Sequence, residues 1–162
     1  MFSFKEGMLA AIAHDLKLLV GRFRIEVEGD RIEAHFDARS LRVVCAMKYD
    51  IEAPDALGEP ERGEIERNLQ RDVLKTDRYP EMVLRGVVSA TGNGHQVSGT
   101  LSLHGREKPI VVQSRVEAKV EIAEVTLHQP DFGIRPFTAM LGTLKIRPDV
   151  LVRITVPAAK RT

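Results

Sequence analysis

The alternation of apolar and polar residues over residues 96–104 is the feature that most constrains the fold of this chain. A period of two places the apolar side chains on one face of an extended strand and the polar side chains on the other. The pattern breaks at residues 105–109, where Pro109 fixes its own φ and disfavours a helix before it. We therefore predict a β-hairpin with a charged tip, whose second strand covers residues 110–116.

Short alternating segments of the same kind recur along most of the chain. The clearest is a predicted hairpin over residues 23–36, whose strands flank the turn residues Gly29 and Asp30. Other predicted strands cover residues 2–5, 16–20, 42–47, 82–90, 122–127, 141–146 and 150–156. Such a series of short strands, without a strand–helix alternation, fits a small antiparallel barrel or a sandwich. We favour a single mainly β domain over residues 1–162, an antiparallel barrel of about eight strands, since closure removes exposed sheet edges.

One segment, residues 59–75, has the pattern of an α-helix. Pro60 suits the first helical turn, and glutamates crowd the amino-terminal end, where they complement the helix dipole. Ile65, Leu69 and Val73 recur every four residues, so one narrow face should pack on an apolar surface. We therefore predict one helix, inserted between the fourth and fifth strands.

Composition excludes several classes of function. The 162-residue chain has a net charge of +1 with basic and acidic residues interspersed, which argues against nucleic-acid binding and against a polybasic membrane patch. Cys45 is the single cysteine, so no disulfide can form within the chain, and we expect it to be a small buried residue. Residues 7–13 are small and apolar but lack a cleavage pattern, and no apolar run approaches the ~20 residues of a spanning helix. We expect a cytoplasmic protein without a membrane span.

Residue types that carry catalysis or bind metals are present but scattered. The five histidines are His14, His35, His95, His104 and His128, and no two have the spacing of a metal-binding pair. The chain has neither a glycine-rich phosphate loop nor a G-x-S-x-G nucleophile motif. We predict no catalytic residue, no metal site and no cofactor.

Three segments, in order along the chain, resemble motifs of one known family. They are residues 71–80 (RDVLKTDRYP), residues 97–110 (VSGTLSLHGREKPI) and residues 131–134 (DFGI). Together they are similar to the motifs of the YceI-like, polyisoprenoid-binding proteins, and the similarity covers nearly the whole chain. The resemblance implies a lipocalin-like antiparallel barrel with one helix. It also implies an elongated apolar cavity that binds an isoprenoid chain or a similar amphiphile.

The residues predicted to line that cavity are the inward-facing apolar ones. They are Phe23, Ile25, Phe36, Val97, Leu101, Leu103, Phe132, Ile134 and Leu144. A polar head group would need donors at the mouth, and the candidates are His14 and Arg135. Arg135 could pair with a phosphate or a quinone oxygen, or instead form an ion pair with Asp131. His14 could instead form a loop hydrogen bond with Asp15.

Two functions are compatible with this pattern. The first is binding of a hydrophobic small molecule, an isoprenoid or quinone-like lipid, in an unfilled barrel interior, without catalysis. The alternative is a barrel filled by the same side chains that serves as an interaction or structural module, including as a homodimer. Because a lined cavity and a packed core require the same apolar pattern, both functions stay open at this point.

Overall fold

Antiparallel strands make up most of the chain in the computed structural model, which describes residues 1–6, 15–139 and 144–158. The twelve strands form one sheet. In chain order they are β1 (Phe2–Glu6), β2 (Asp15–Val20), β3 (Phe23–Glu28), β4 (Arg31–Asp37), β5 (Leu41–Lys48), β6 (Ile51–Ala53), β7 (Glu81–Thr91), β8 (Gly94–Leu103), β9 (Arg106–Glu117), β10 (Val120–His128), β11 (Thr138–Ala139) and β12 (Leu144–Pro157).

Neighbouring strands follow the order β3-β4-β7-β8-β9-β10-β12-β1-β2-β5-β6, and β11 pairs with β12. The sheet curls into a half-barrel, which confirms the prediction of a mainly β, antiparallel, lipocalin-like fold with one helix. The sheet has twelve strands rather than about eight. The alternation does not predict β6 and β11, because they are only three and two residues long.

The two ends of the curled sheet are joined by the chain itself. β2 leads into β3 through Gly21 and Arg22, and β4 leads into β5 through a 3-10 turn, Ala38–Ser40. At this corner the Gly21 N–H donates to the Ser40 carbonyl (3.1 Å) and the Arg22 N–H donates to Ser40 Oγ (2.9 Å). β3 and β4 lie at one end of the strand order and β2 and β5 near the other. The corner therefore holds the curled sheet together, although β3 and β6 do not pair.

The predicted charged tip between β8 and β9 is too long. The turn consists of His104 and Gly105, which both have positive φ (53° and 74°), as a two-residue hairpin turn requires. Pro109 lies inside β9, opposite Thr100. A proline fits there because β9 pairs with β10 only over its last residues, from Gln113 onwards, so no second ladder needs an N–H at Pro109.

The prediction of a closing hairpin over residues 141–156 is wrong for the described part of this segment, residues 144–156. β12 runs without interruption through Pro148, the residue that suggested a turn. The pairing with β1 shifts register at this place: Lys5 lies opposite Ile146, whereas Ser3 lies opposite Val150. This irregularity accommodates Pro148, which has no N–H to donate to a neighbouring strand. Residues 141–143 lie outside the described residues.

The predicted helix is present as α1 (Glu59–Asn68), continued by a π-helical segment, Leu69–Val73. The Gly58 N–H at its start donates to the Glu61 carboxylate (2.5 Å). Its apolar residue Leu69 packs against both apolar clusters of the sheet. Glu66 accepts a hydrogen bond from the Val43 N–H (2.8 Å), which ties the helix to β5.

Two clusters of apolar side chains form the core. The first cluster contains Ala34, Val73, Leu84, Leu101, Leu103, Phe132 and Ile134. The second cluster contains Leu16, Leu18, Leu41 and Val43. Leu69 and Leu74 contact both, so the helical segment bridges the clusters across the concave face. Cys45 is buried, as predicted.

Candidate functional site: the concave face of the sheet

Most of the predicted ligand residues come together on one face. Four of them are buried in the first cluster: Leu101, Leu103, Phe132 and Ile134. Three more are partly buried and pack against it: Ile25, Phe36 and Val97. Period-two alternation therefore identified the strand side chains that share the concave face, and Phe132 and Ile134 join them from a 3-10 turn and the loop after it. Their part in ligand binding stays a prediction.

The other four predicted residues lie elsewhere. Phe23 is 53% exposed, and its ring stacks on Phe36 with 6.0 Å between centroids. Arg135 is exposed and forms no ion pair with Asp131. Leu144 begins β12, but its side chain is outside the described part of the structure, as is the whole of His14.

Two recesses open on the surface away from these residues. The larger, about 350 Å³, is lined by charged and apolar residues of five strands and one turn: Phe2, Asp15, Leu16, Lys17, Met47, Asp50, Glu52, Leu151 and Arg153. The smaller, about 290 Å³, is lined by Asp37, Arg39, Pro80 and Glu81. Neither recess contains a predicted ligand residue, so neither is the elongated apolar cavity that the resemblance implies.

Two glycines stand side by side in the middle of the concave face. Gly86 of β7 pairs with Gly99 of β8, and this row continues to Ile32 on one side and Ile110 on the other. A Cβ on Gly99 would lie 2.1 Å from the Arg85 carbonyl oxygen, so the strands approach too closely here for any side chain. The row therefore carries no side chain between two isoleucines.

A group of basic residues borders the first cluster where β8 turns into β9. Three of the charges that act on His104 are cationic, those of Lys75, Arg78 and Arg106. We call these three residues the basic rim. The His104 ring lies 4.3 Å from the Tyr79 ring, and its Nε2 atom is buried without a hydrogen-bond partner. Within the described residues no member of the basic rim forms an ion pair with a carboxylate.

Burial and the three cations of the basic rim both disfavour a positive charge on His104. Burial is the largest effect and lowers the pKa of His104, while a hydrogen bond to the Phe132 backbone acts in the opposite direction. The Arg106 guanidinium packs close to Gly133, which has φ +69°. The lowered pKa favours the neutral form of His104, which lies near three cations that form no ion pair within the described residues. Sequence analysis missed this group because its members come from separate loops and turns.

A second polar group lies at the opposite end of β8. His95 Nδ1 contacts Glu121 Oε1 at 2.7 Å, and the Ser114 hydroxyl contacts the same oxygen. Burial would raise the pKa of Glu121, but the hydrogen bonds from Ser114 and His95 lower it overall. The carboxylate is thus anionic and satisfied by its neighbours. Ser114 Oγ also accepts from the His95 backbone N–H (2.8 Å), so the group ties three strands together.

Two kinds of site are absent from the part of the chain that the structure describes. No group of three or more metal-ligating side chains is close enough to hold a metal ion. No helix in the same residues is long and apolar enough to cross a bilayer.

The family model of the YceI-like domain matches residues 2–158 of the chain. The chain belongs to the YceI-like family. No curated protein matches the sequence. The motifs over residues 71–80 and 97–110 contribute the basic rim and much of the concave face of this YceI-like chain.

Several solved structures share the fold at low sequence identity. The YceI protein of Campylobacter jejuni is 14% identical, with a TM-score of 0.62 over 91% of this chain and 86% of that one. A polyisoprenoid-binding domain from Saccharophagus degradans is 11% identical, with a TM-score of 0.54 over 97% and 92% of the two chains. Burkholderia cenocepacia BcnA is 10% identical, with a TM-score of 0.52 over 93% and 95%. At such identities the similarity establishes the fold alone.

Proposed function

We propose that this YceI-like protein binds an isoprenoid or a similar lipid-like amphiphile against the concave face of its sheet. The observation that carries the proposal is the Gly86–Gly99 row, which is free of side chains and lies between apolar residues. Family membership supports it, as does the fold shared with the polyisoprenoid-binding domain of S. degradans.

An isoprenoid tail presents only methyl groups and alkenes, so its recognition depends on apolar area rather than on a motif. Burial of apolar surface contributes about 25 cal/mol per Å², and much of this is offset by the cost of ordering a flexible chain. The glycine row adds no side chain between Ile32 and Ile110, which are only partly buried. Partly buried Ile25 and Phe36 extend the apolar surface from this row towards the exposed edge of β3.

The basic rim is the proposed place for the polar head group. Arg78 and Arg106 are exposed and next to the apolar first cluster, so a tail on the concave face would bring its head to them. Guanidinium groups donate two parallel hydrogen bonds to a phosphate and can also donate to a quinone oxygen. Arg135 is a further exposed donor. It lies two residues beyond Gly133, which packs close to the Arg106 guanidinium.

The proposal assigns binding and no chemical step. The Ser114 hydroxyl lies near a histidine, as a serine nucleophile would. It contacts a carboxylate and the His95 backbone, however, rather than an imidazole nitrogen that could accept its proton. In the part of the chain that the structure describes, no carboxylate pairs with the basic rim that could act there as a general base.

The test is native mass spectrometry of the gently purified protein, followed by uptake of farnesol and farnesyl diphosphate. Ile110→Trp places an indole beside the glycine row and should abolish most of the bound hydrophobic mass. Val111→Trp is the matched control, because Val111 is the next residue in β9, points to the opposite face and is 57% exposed. Absence of any bound mass or uptake in the unmodified protein contradicts the proposal, as does equal uptake by both variants.

An interaction module is the second candidate function, and a specific observation favours it. Several large apolar side chains are exposed, among them Phe23 and Val27 on the edge strand β3. Exposed apolar residues grouped on a free strand edge are typical of a contact surface.

A further inference from the structure

Within the described residues, nothing pairs with the outer edge of β3. β3 lies at one end of the strand order and pairs with β4 alone, so one row of its backbone groups faces away from the sheet. Its side chains Phe23 and Val27 are 53% and 55% exposed, although they share the concave face with Ile25. Such an edge is a template for another strand.

β3 carries charged side chains but lacks the other features that usually protect an edge. Its pairing with β4 is regular over all six residues, without a bulge. It contains neither proline nor lysine. The strand at the other end of the order, β6, has only three residues, which limits what can pair with it. β3 is thus the longer and the more regular of the two edges.

The sequence of β3 is complementary to itself when two copies run antiparallel. Residues 22–28 read RFRIEVE, with the two arginines before Ile25 and the two glutamates after it. In a register centred on Ile25, Arg24 lies opposite Glu26 of the partner subunit, and Phe23 lies opposite the partner's Val27. A register centred on Arg24 or on Glu26 places like charges opposite each other.

We propose that β3 pairs with β3 of a second copy of this chain, antiparallel and centred on a two-fold axis at Ile25. The pairing satisfies the free backbone edge, forms opposite-charge pairs on the convex face and covers the exposed apolar side chains on the concave face. Both charges are available for it: the side chains of Arg24 and Glu26 are 64% and 56% exposed and share only a long contact of 3.6 Å with each other.

The outer charge pair of the interface is weaker. Arg22 already contacts Asp37 at 2.7 Å, so its pairing with Glu28 of the partner subunit competes with a bond inside the chain. An interface of one six-residue strand is also smaller than a standard stable one. The dimer therefore depends on concentration, and Arg24 and Glu26 control it. This inference concerns assembly and does not rest on the proposed ligand.

Charge reversal tests the register, with sedimentation equilibrium of the full chain as the measurement. Arg24→Glu and Glu26→Arg each place two like-charge contacts across the axis, and each should weaken dimerisation about tenfold or more. The double variant Arg24→Glu/Glu26→Arg restores both pairs and should recover the affinity of the unmodified protein. Lys119→Glu, at an exposed turn far from β3 in the strand order, makes the same charge change and should have no effect.

Thermal unfolding of each variant checks that the monomer is folded, which we expect because both substituted side chains are exposed. The proposal is overturned if the unmodified protein is monomeric at every concentration, which would leave the edge to a different partner. It is also overturned if Arg24→Glu leaves the dimer unchanged, or if the double variant fails to recover it. Isoprenoid uptake by a monomeric protein would still support the proposed function, so the two proposals fail separately.

Discussion

The close approach of β7 and β8 depends on single residues that have no side chain. At Gly99 a Cβ would meet two backbone atoms, the Arg85 oxygen at 2.1 Å and the Gly86 Cα at 2.7 Å. Neither atom can move without shifting a strand. These two glycines thus determine how tightly the sheet coils at its centre.

Gly99→Ala is therefore expected to lower the free energy of unfolding by about 2–3 kcal/mol or more, since overpacking here moves backbone rather than a side chain. Urea denaturation measures it. Gly92→Ala is the control, because nothing lies within 4 Å of a Cβ there, and its effect should stay within about 0.5 kcal/mol. Equal effects of the two substitutions would contradict this account.

Two histidines are expected to titrate on opposite sides of the ordinary pKa of about 6.5. Hydrogen bonds to Glu81 and then to Glu33 raise the pKa of His35, whereas burial lowers the pKa of His104. NMR titration of the ring protons measures both. Glu81→Gln should return His35 towards its ordinary pKa and leave His104 unchanged, and a shift of both would show that the cause is not the local contact.

The stability consequences of these two shifts have opposite signs. The folded-state pKa of His35 is raised, so its contribution is fully present below the ordinary value and is lost as pH rises through the folded pKa. The folded-state pKa of His104 is lowered, so its contribution is present above the ordinary value and is lost as pH falls through the folded pKa.

At the scale of elements, α1 is attached to the sheet by side-chain hydrogen bonds as well as by apolar contacts. Glu66 accepts from the Val43 N–H at 2.8 Å, and this partly buried N–H would otherwise be left without an acceptor. We expect Glu66→Ala to lower the free energy of unfolding by about 1–3 kcal/mol and Glu66→Gln, which keeps a carbonyl oxygen, to lower it less.

Chemical denaturation of the Glu66 variants checks this prediction. Glu64→Ala is the matched control, because Glu64 is exposed on the same helix. If Glu64→Ala and Glu66→Ala have the same effect, helix propensity rather than attachment to β5 explains the loss.

Element boundaries were predictable where the cause is local. The alternation in β3, β4 and β8 and the Pro60 start of α1 depend on neighbouring residues, and the structure confirms them. Pro109 and Pro148 misled the prediction because a proline ends a strand only where its missing N–H is needed by a second neighbour. Whether such a neighbour exists depends on how far β10 pairs along β9 and on where β1, which is distant in sequence, pairs with β12.

At the scale of the whole molecule, the strand order predicts where the sheet opens first. β8 is paired along both edges by long ladders, whereas β3 and β6 each have one partner. Hydrogen exchange should therefore be slowest in β8 and fastest, among strand amides, on the outward edges of β3 and β6. The proposed pairing adds a further expectation: raising the protein concentration should protect β3 but not β6. Equal protection of both edges would argue against the β3 contact.

The sequence by itself determined which side chains share a face, because a strand alternates with a period of two wherever it lies in the fold. That is why Leu101, Leu103 and Phe36 were placed together correctly. Only the tertiary structure decided which strands became neighbours. It set Gly86 beside Gly99 through the register of β7 against β8, and it brought Lys75 and Arg78 to the partly buried His104 and to Arg106, because strand register and packing depend on more than the neighbouring residues.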